Sequence, residues 1–410
     1  MSATTTERFG IYLVGGRGSI GVAVMAGHAI LCEGAVEVSG MVTGCSPFDR
    51  LPFAAWDRWV FGGCDIVAAP LLEVFENHLR ARIMPTADRP CARRALAALD
   101  DRIEDVGALE SEIVAGRGSP RAMVDALRQR LAAFKSRHRV DKVIVLNVAS
   151  TEPLHPLQGR LQAARDWPEL ESLQAGIDGP LPWGVCYATA ALLEGCAYLN
   201  FTPNLGTDLP ALDDLAVRRG LPHAGKDGKT GETLLKSVLA PMFKERDLRV
   251  HAWQGYNMLG NNDGRSLSDP RAKAAKIASK DRQLRDILTN SKDLHTGVGI
   301  DYVPSLGDWK TAWDFIHFEG FLGAMMSLHL TWSGCDTALA TPLVLDLVRF
   351  VELAWRSGES GHLSHLDAFF KSPTKARDHD FRRQMDRLRR YCSSWSGREV
   401  EVEASVSLEG

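Results

Sequence analysis

The chain has 410 residues, 45% of them hydrophobic, and a formal net charge of −3. That is enough for a large buried core in two domains, or in one domain with a large insertion. The charge excludes a global positive field for nucleic acid, no apolar run approaches the ~18 residues of a membrane span, and no basic segment followed by an apolar one opens the chain, so no secretory signal is expected. The eight cysteines are dispersed, with no CxxC pair and no zinc-like spacing. They read as reduced, mostly buried thiols of a cytoplasmic protein, and no metal-ligand cluster stands out. Neither HExxH nor GxSxG occurs.

In chain order, residues 9–14 (FGIYLV) predict a buried strand that runs into Gly15-Gly16-Arg17-Gly18-Ser19-Ile20-Gly21 and then a helix-compatible stretch. A second strand is expected over Val36–Thr43, an amphipathic helix over 120–140, and further strands over 142–149 and 196–203. Strands alternating with helices predict a parallel sheet with right-handed crossovers. From about residue 225, polar Gly- and Lys-rich segments alternate with strands at 249–255, 297–303 and 323–332. The last alternates in part, as an open sheet with one covered face would. Residues 338–356 predict an apolar helix with Pro342 in its first turn. Residues 373–390 read as a solvated surface and 395–410 as a fraying tail.

Gly16-x-Gly18-x-x-Gly21 between a strand and a helix is the setting of a dinucleotide fingerprint. Small residues let the backbone approach a pyrophosphate, and the helix N-terminus supplies N–H donors and positive dipole. A tight strand-to-helix turn is the other reading. The ribose-binding acid expected at the end of the second strand is missing from Val38–Thr43, and Glu37 comes too early. Asp65, in Gly62-Gly63-Cys64-Asp65-Ile66, is the candidate, with ordinary turn capping as its alternative.

Lys276 and Lys280 are four apart and share one face of a helix. Like charges so placed lower each other's pKa, which suits a proton shuttle; a phosphate clamp or a solvated basic face fits the spacing as well. Asn261-Asn262-Asp263-Gly264 is a turn-former with three side chains able to bond hydroxyls. Gly307-Asp308-Trp309-Lys310 sets a carboxylate and an ammonium after a strand, where a surface ion pair is the plain reading. Together these residues describe a pocket rich in Lys, Asp and Asn without a nucleophilic Ser or Cys. It suits a phosphorylated polyol and proton transfer more than acyl transfer.

Several of these segments, taken in order through most of the chain, resemble the inositol-3-phosphate synthase family. They are Lys226–Thr233 (KDGKTGET) with Lys236-Ser237, Tyr256–Gly264 (YNMLGNNDG), Ser279-Lys280, Gly307-Asp308 with Lys310, and Asp336–Pro342 (DTALATP). Upstream, Gly62–Ile66 and Ala149–Glu152 (ASTE) join them. The resemblance implies an α/β fold: a split, Rossmann-like NAD-binding domain over 1–228 and 336–410, with an inserted α+β catalytic and tetramerisation domain over 229–335. It implies NAD as cofactor, a homotetramer, and a redox-neutral conversion of glucose 6-phosphate to 1D-myo-inositol 3-phosphate by oxidation at C5, enolisation, intramolecular aldol closure and reduction. Position by position, Lys276 matches the lysine that moves the C5 hydroxyl proton. Lys280 and Lys310 match lysines that hold phosphate and polarise oxygens, Asp227 and Asp308 match carboxylates that orient them, and Lys371 matches a lysine of the aldol step. NAD is expected against Gly16, Gly18, Ser19, Ile20, Gly21, Asp65, Ala149, Ser150, Thr151, Thr202, Asp227, Thr230, Asn261, Asn262, Asp263, Asp336 and Thr337.

The chain departs from the family pattern at three places. Ser19-Ile20 replace an Asn-Asn pair, Lys229-Thr230-Gly231-Glu232 replaces Lys-Ser-Gly-Gln, and Phe201-Thr202 replaces Gly-Ser, where Phe201 could reshape the nicotinamide or substrate side. These changes keep open a divergent cyclase acting on fructose 6-phosphate or another hexose phosphate. A catalytically silent NAD-binding homologue is a further alternative, though it would have no need of the lysines.

Overall fold

The computed structural model describes residues 7–34, 39–114, 119–176, 181–260, 264, 284–285, 287–291, 293–376 and 378–406. The strand β1 (Phe9–Val14) is buried at every position, so it needs cover on both faces. Ile11 and Leu13 pack to one side, against the helix α1 (Ser19–Cys32) and the helix Asp336–Arg356. Tyr12 and Val14 pack to the other, against the helices Pro120–His138 and Trp183–Leu193. The neighbours of β1 are β2 (Trp59–Asp65) and β4 (Lys142–Asn147), both parallel to it. Outside β2 lies β3 (Ile103–Asp105); outside β4 lie β5 (Ala197–Asn200), β6 (Pro222–Gly225) and finally β11 (Gly361–His362). The order β3-β2-β1-β4-β5-β6 is doubly wound, with its reversal between β1 and β4, so a crevice opens at the carboxyl ends of those two strands.

The second strand is Trp59–Asp65; of the expected Val36–Thr43, residues 36–38 lie outside the described residues and 39–43 form no strand. Val42–Gly44 forms a single 3-10 turn, because its backbone donors are taken from afar. Asp346, on the helix Asp336–Arg356, accepts from Val42 N (2.6 Å), Thr43 N (3.0 Å) and Thr43 Oγ1 (2.6 Å). Arg349 donates to the same Thr43 hydroxyl at 2.7 Å and lies over the rings of Phe53 and Trp56. Burial pushes the Asp346 carboxyl up to about 6, against the opposing hydrogen bonds from Thr43 and Val42. Residues 41–58 are thereby bound as a strap to the helix that follows the insertion.

A second sheet has the order β10-β9-β7-β8, formed by β7 (Arg249–Leu259), β8 (His295–Tyr302), β9 (Trp309–Glu319) and β10 (Met325–Cys335). One face buries Trp253 and Ile316 against Ala240 and Phe243 of the helix Glu232–Glu245. The opposite face carries Trp313, Phe315 and His317 in a stacked row, with His329 against the first two. β10 runs straight into the helix Asp336–Arg356. That helix starts two residues earlier than the apolar pattern suggests, so Pro342 lies inside it. The stretch expected to be solvated instead opens the helix Phe381–Val406, which buries Gln384 and Leu388. All eight cysteines are free thiols, six of them buried. Among the described residues, no helix is long and apolar enough to cross a membrane.

Candidate active site

At the end of β1 the chain turns on Gly15, whose φ is +87°. A Cβ there would lie 2.7 Å from the Ala149 Cα, so only glycine lets the turn approach the exit of β4. The N–H groups of Gly15 and Gly16 donate to Cys64 O at 2.9 and 3.2 Å, pinning the turn to β2. At Gly21 a Cβ would lie 2.7 Å from Gly16 O, so the missing side chain seats α1 on the strand end. α1 has no side-chain N-cap, which leaves its first-turn N–H groups and positive dipole available at the crevice. Arg17 is a strut: its guanidinium bonds Ala69 O, Asp100 Oδ1, Asp100 O and Ile103 O.

Asp65 is the last residue of β2, the position at which a dinucleotide fold carries its ribose-binding acid. Its carboxylate accepts from Arg17 N at 2.7 Å and Val67 N at 2.9 Å. The acid is missing only while the second strand is sought at 36–43. Across the switch point, Ser150 and Thr151 expose their side chains beyond β4. Glu152 then turns back and caps the helix Trp183–Leu193, accepting from Trp183 N and Gly184 N, each at 2.8 Å. Thr202 is buried, its hydroxyl donating to Asn200 Oδ1 at 2.8 Å and its carbonyl accepting from Asp227 N. Phe201 is buried in the core with its ring directly against Gly228. Small turn residues, an uncapped helix end, an acid closing β2 and hydroxyls across the switch fit a dinucleotide.

The second sheet brings in Lys310, near the start of β9 and 9% exposed. Its Nζ donates to both oxygens of Asp336, at 2.6 and 2.7 Å, and Thr230 Oγ1 donates to the first of them at 2.7 Å. Lys371 pairs with Asp227 at 2.9 Å. Withdrawal from solvent opposes ionisation of Asp336, but the charges of Lys310 and Lys371 outweigh it and hold the carboxyl well below the usual carboxylate range. Two lysines and two acids therefore share one site. Asp336, expected on the cofactor side, is the partner of Lys310; Asp308 sits on the preceding turn, where its charge reaches His78. The chain enters the 261–263 segment beside Gly307, since a Cβ on Gly260 would lie 2.4 Å from Gly307 O. Lys276, Lys280, Asn261, Asn262 and Asp263 lie outside the described residues. Thr337, next to Asp336, donates through Oγ1 to Ser19 Oγ at 3.0 Å, so the helix carrying Asp336 touches the Gly-rich turn.

An NAD-binding family model described as myo-inositol-1-phosphate synthase matches residues 44–392. The chain is 31% identical over 402 residues to inositol-3-phosphate synthase 1 of Bacteroides thetaiotaomicron, covering 92% of this chain and 91% of that protein. The chain belongs to the myo-inositol-1-phosphate synthase family. Inositol-3-phosphate synthase 1 of Oryza sativa is 28% identical over 400 residues, covering 87% of this chain and 76% of the rice protein. The fold is shared with the solved inositol-3-phosphate synthase of Caenorhabditis elegans, with a TM-score of 0.77 and 23% identity over 95% of this chain and 86% of that one. A myo-inositol-1-phosphate synthase-related protein of Thermotoga maritima gives 0.71 and 20% over 94% and 99%.

Some of the wiring around this family site has no signature in residue spacing. Lys229, beside Thr230, points away from Asp336; its buried Nζ donates to Gln384 Oε1 at 2.8 Å and lies over the Phe381 ring, anchoring the last helix. Lys236 joins Glu232 (2.5 Å) and Asp314 (3.4 Å) in a buried triad between the helix Glu232–Glu245 and β9. His78, from the helix Leu71–Arg80, meets Ser19. Apart from Glu232–Lys236, an i,i+4 pair on one helix, these contacts join residues whose spacing carries no helix or strand period.

Burial pushes the Lys229 ammonium down to about 7, against the opposing charges of Asp367 and Asp380. Between that value and the ordinary lysine range of about 10, the unfolded chain binds a proton that the native one does not. Wild-type stability should therefore climb with pH across this window relative to Lys229→Met, which cannot titrate. Denaturant unfolding of both proteins at a series of pH values checks this; parallel stability curves would contradict it.

Proposed function

We propose that this chain converts glucose 6-phosphate to 1D-myo-inositol 3-phosphate, using NAD catalytically. The observation that carries the reading is the Lys310–Asp336 pair, seated with Lys371 and Asp227 and joined through Thr337 to the Gly-rich turn. NAD held at this turn would supply reversible hydride-transfer chemistry at C5. Lys276 takes the C5 hydroxyl proton. Lys280 and Lys310 hold the phosphate and polarise the sugar oxygens, so the enolate forms beside fixed cations. Lys371 serves the aldol closure, and Asp227 and Asp308 orient the lysines. Asp336 holds Lys310 in place through both of its oxygens. The cofactor is contacted by Gly16, Gly18, Ser19, Ile20, Gly21, Asp65, Ala149, Ser150, Thr151, Asn261, Asn262, Asp263 and Thr337.

This reading divides the chain into a NAD-binding part, 1–228 with 336–410, and a catalytic part, 229–335. It is supported by the strands, since every strand of the parallel sheet falls in the first and every strand of the second sheet in the other. The aromatic face around Trp313, which is 41% exposed, supports self-association as a homotetramer through the second sheet.

With NAD and glucose 6-phosphate the chain is expected to release an inositol phosphate, identified by NMR, with no net NADH. A different ring formed from fructose 6-phosphate, or stoichiometric NADH, would contradict the assignment. Light scattering should give the mass of four chains for the wild type and a smaller particle for Trp313→Glu; a monomeric wild type would refute the assembly.

A further inference from the structure

Besides Asp65, which accepts from Arg17 N, a second buried titratable side chain touches the Gly-rich turn. His78, only 1% exposed, places Nε2 2.7 Å from Ser19 Oγ. Thr337 Oγ1 donates to the same oxygen at 3.0 Å. The other ring nitrogen of His78, Nδ1, is buried and has no hydrogen-bond partner. A proton on Nδ1 would be a buried N–H without an acceptor, whereas a proton on Nε2 is satisfied by Ser19. The imidazole then donates to Ser19, and both lone pairs of the serine oxygen are occupied, by His78 and by Thr337. What remains to Ser19 is its own O–H. Ser19 is the first residue of α1, so that O–H joins the uncapped N–H groups of the first turn.

Building on the NAD reading above, we propose that His78 is a positioning residue: with Thr337 it fixes the Ser19 hydroxyl as a dedicated donor to the cofactor's diphosphate. The surroundings agree with a neutral donor. Burial lowers the pKa of His78, and only the charge of Asp308 works the other way. The helix bearing His78 is also held from beyond its end, where Trp309 Nε1 donates to Ala81 O at 2.9 Å. The imidazole is thus seated on a supported element, which is what a positioning group requires. Three elements that are distant in the chain (the turn, the helix after β2 and the helix after β10) converge on one serine oxygen.

The test titrates NAD, ADP and adenosine calorimetrically into the wild type, Ser19→Ala, His78→Leu and His78→Gln. Loss of one charge-assisted hydrogen bond should weaken NAD and ADP about tenfold in Ser19→Ala and His78→Leu. Adenosine, which has no diphosphate, should bind all four proteins alike. His78→Gln should bind ADP close to wild type, because its amide N–H can still donate to Ser19. Ser19 is half-buried at the start of a helix, so its alanine variant carries the test even where His78→Leu does not fold. Unchanged ADP affinity in Ser19→Ala, or equal weakening of adenosine, overturns the proposal alone. A wild type that binds neither NAD nor ADP overturns the cofactor reading beneath it.

Discussion

The site depends on one ion pair whose geometry is set by strand register. Lys310 on β9 lies opposite Gly334 on β10, and Asp336 follows two residues later, where the strand becomes a helix. The second sheet therefore delivers the ammonium and the start of the return helix delivers the carboxylate, and both Asp336 oxygens are engaged. An acid in the first turn is further favoured by the helix dipole. Because the next residue, Thr337, bonds Ser19, the pair that organises the lysines also fixes them relative to the Gly-rich turn. Under the proposed function, chemistry and cofactor binding are built on the same two residues of backbone.

Charged groups are buried in this protein at a cost, and their placement shows what the cost secures. Lys236 with Glu232 and Asp314 locks the helix Glu232–Glu245 to β9, two residues in register from Ala312 and four from Lys310. Asp346 and Arg349 bind the 41–58 strap to the return helix. Lys229 anchors the last helix through Gln384. Such groups add little net stability compared with well-packed apolar side chains, yet removing one partner is strongly unfavourable. The Lys236 triad joins two elements lying between β6 and the helix Asp336–Arg356, whereas the Asp346 and Lys229 contacts tie residues before or at the start of that stretch to helices after it.

Much of this was legible in the amino-acid sequence. FGIYLV and KVIVLN as apolar runs, and the texture after residue 225, foretell β1, β4, β7, β8 and β10 but not β9, and the glycines of the first turn foretell the crevice. What was not legible has a common cause. VEVSGMVT has strand-like composition, but Asp346, some 300 residues away, claims the N–H groups of its last two residues, Val42 and Thr43, and the sheet takes WVFGGCD instead. That one misplacement made the acid at the end of the second strand look absent, although Asp65 occupies that place. The same holds in the site. Lys310 and Asp308 are neighbours in sequence, but the hairpin of β9 and β10 carries Lys310 to Asp336. His78 gives no local sign of its role, because its partner lies 59 residues earlier.

If the Lys310–Asp336 pair is the centre of the site, the two residues act as a unit. Steady-state turnover of Lys310→Met, Asp336→Asn and the double variant tests this most directly. The account predicts a loss of about a hundredfold or more in Lys310→Met, a large loss in Asp336→Asn, and a double variant hardly worse than Lys310→Met alone. Losses that multiply independently, or a Lys310→Met enzyme with wild-type turnover, would contradict it.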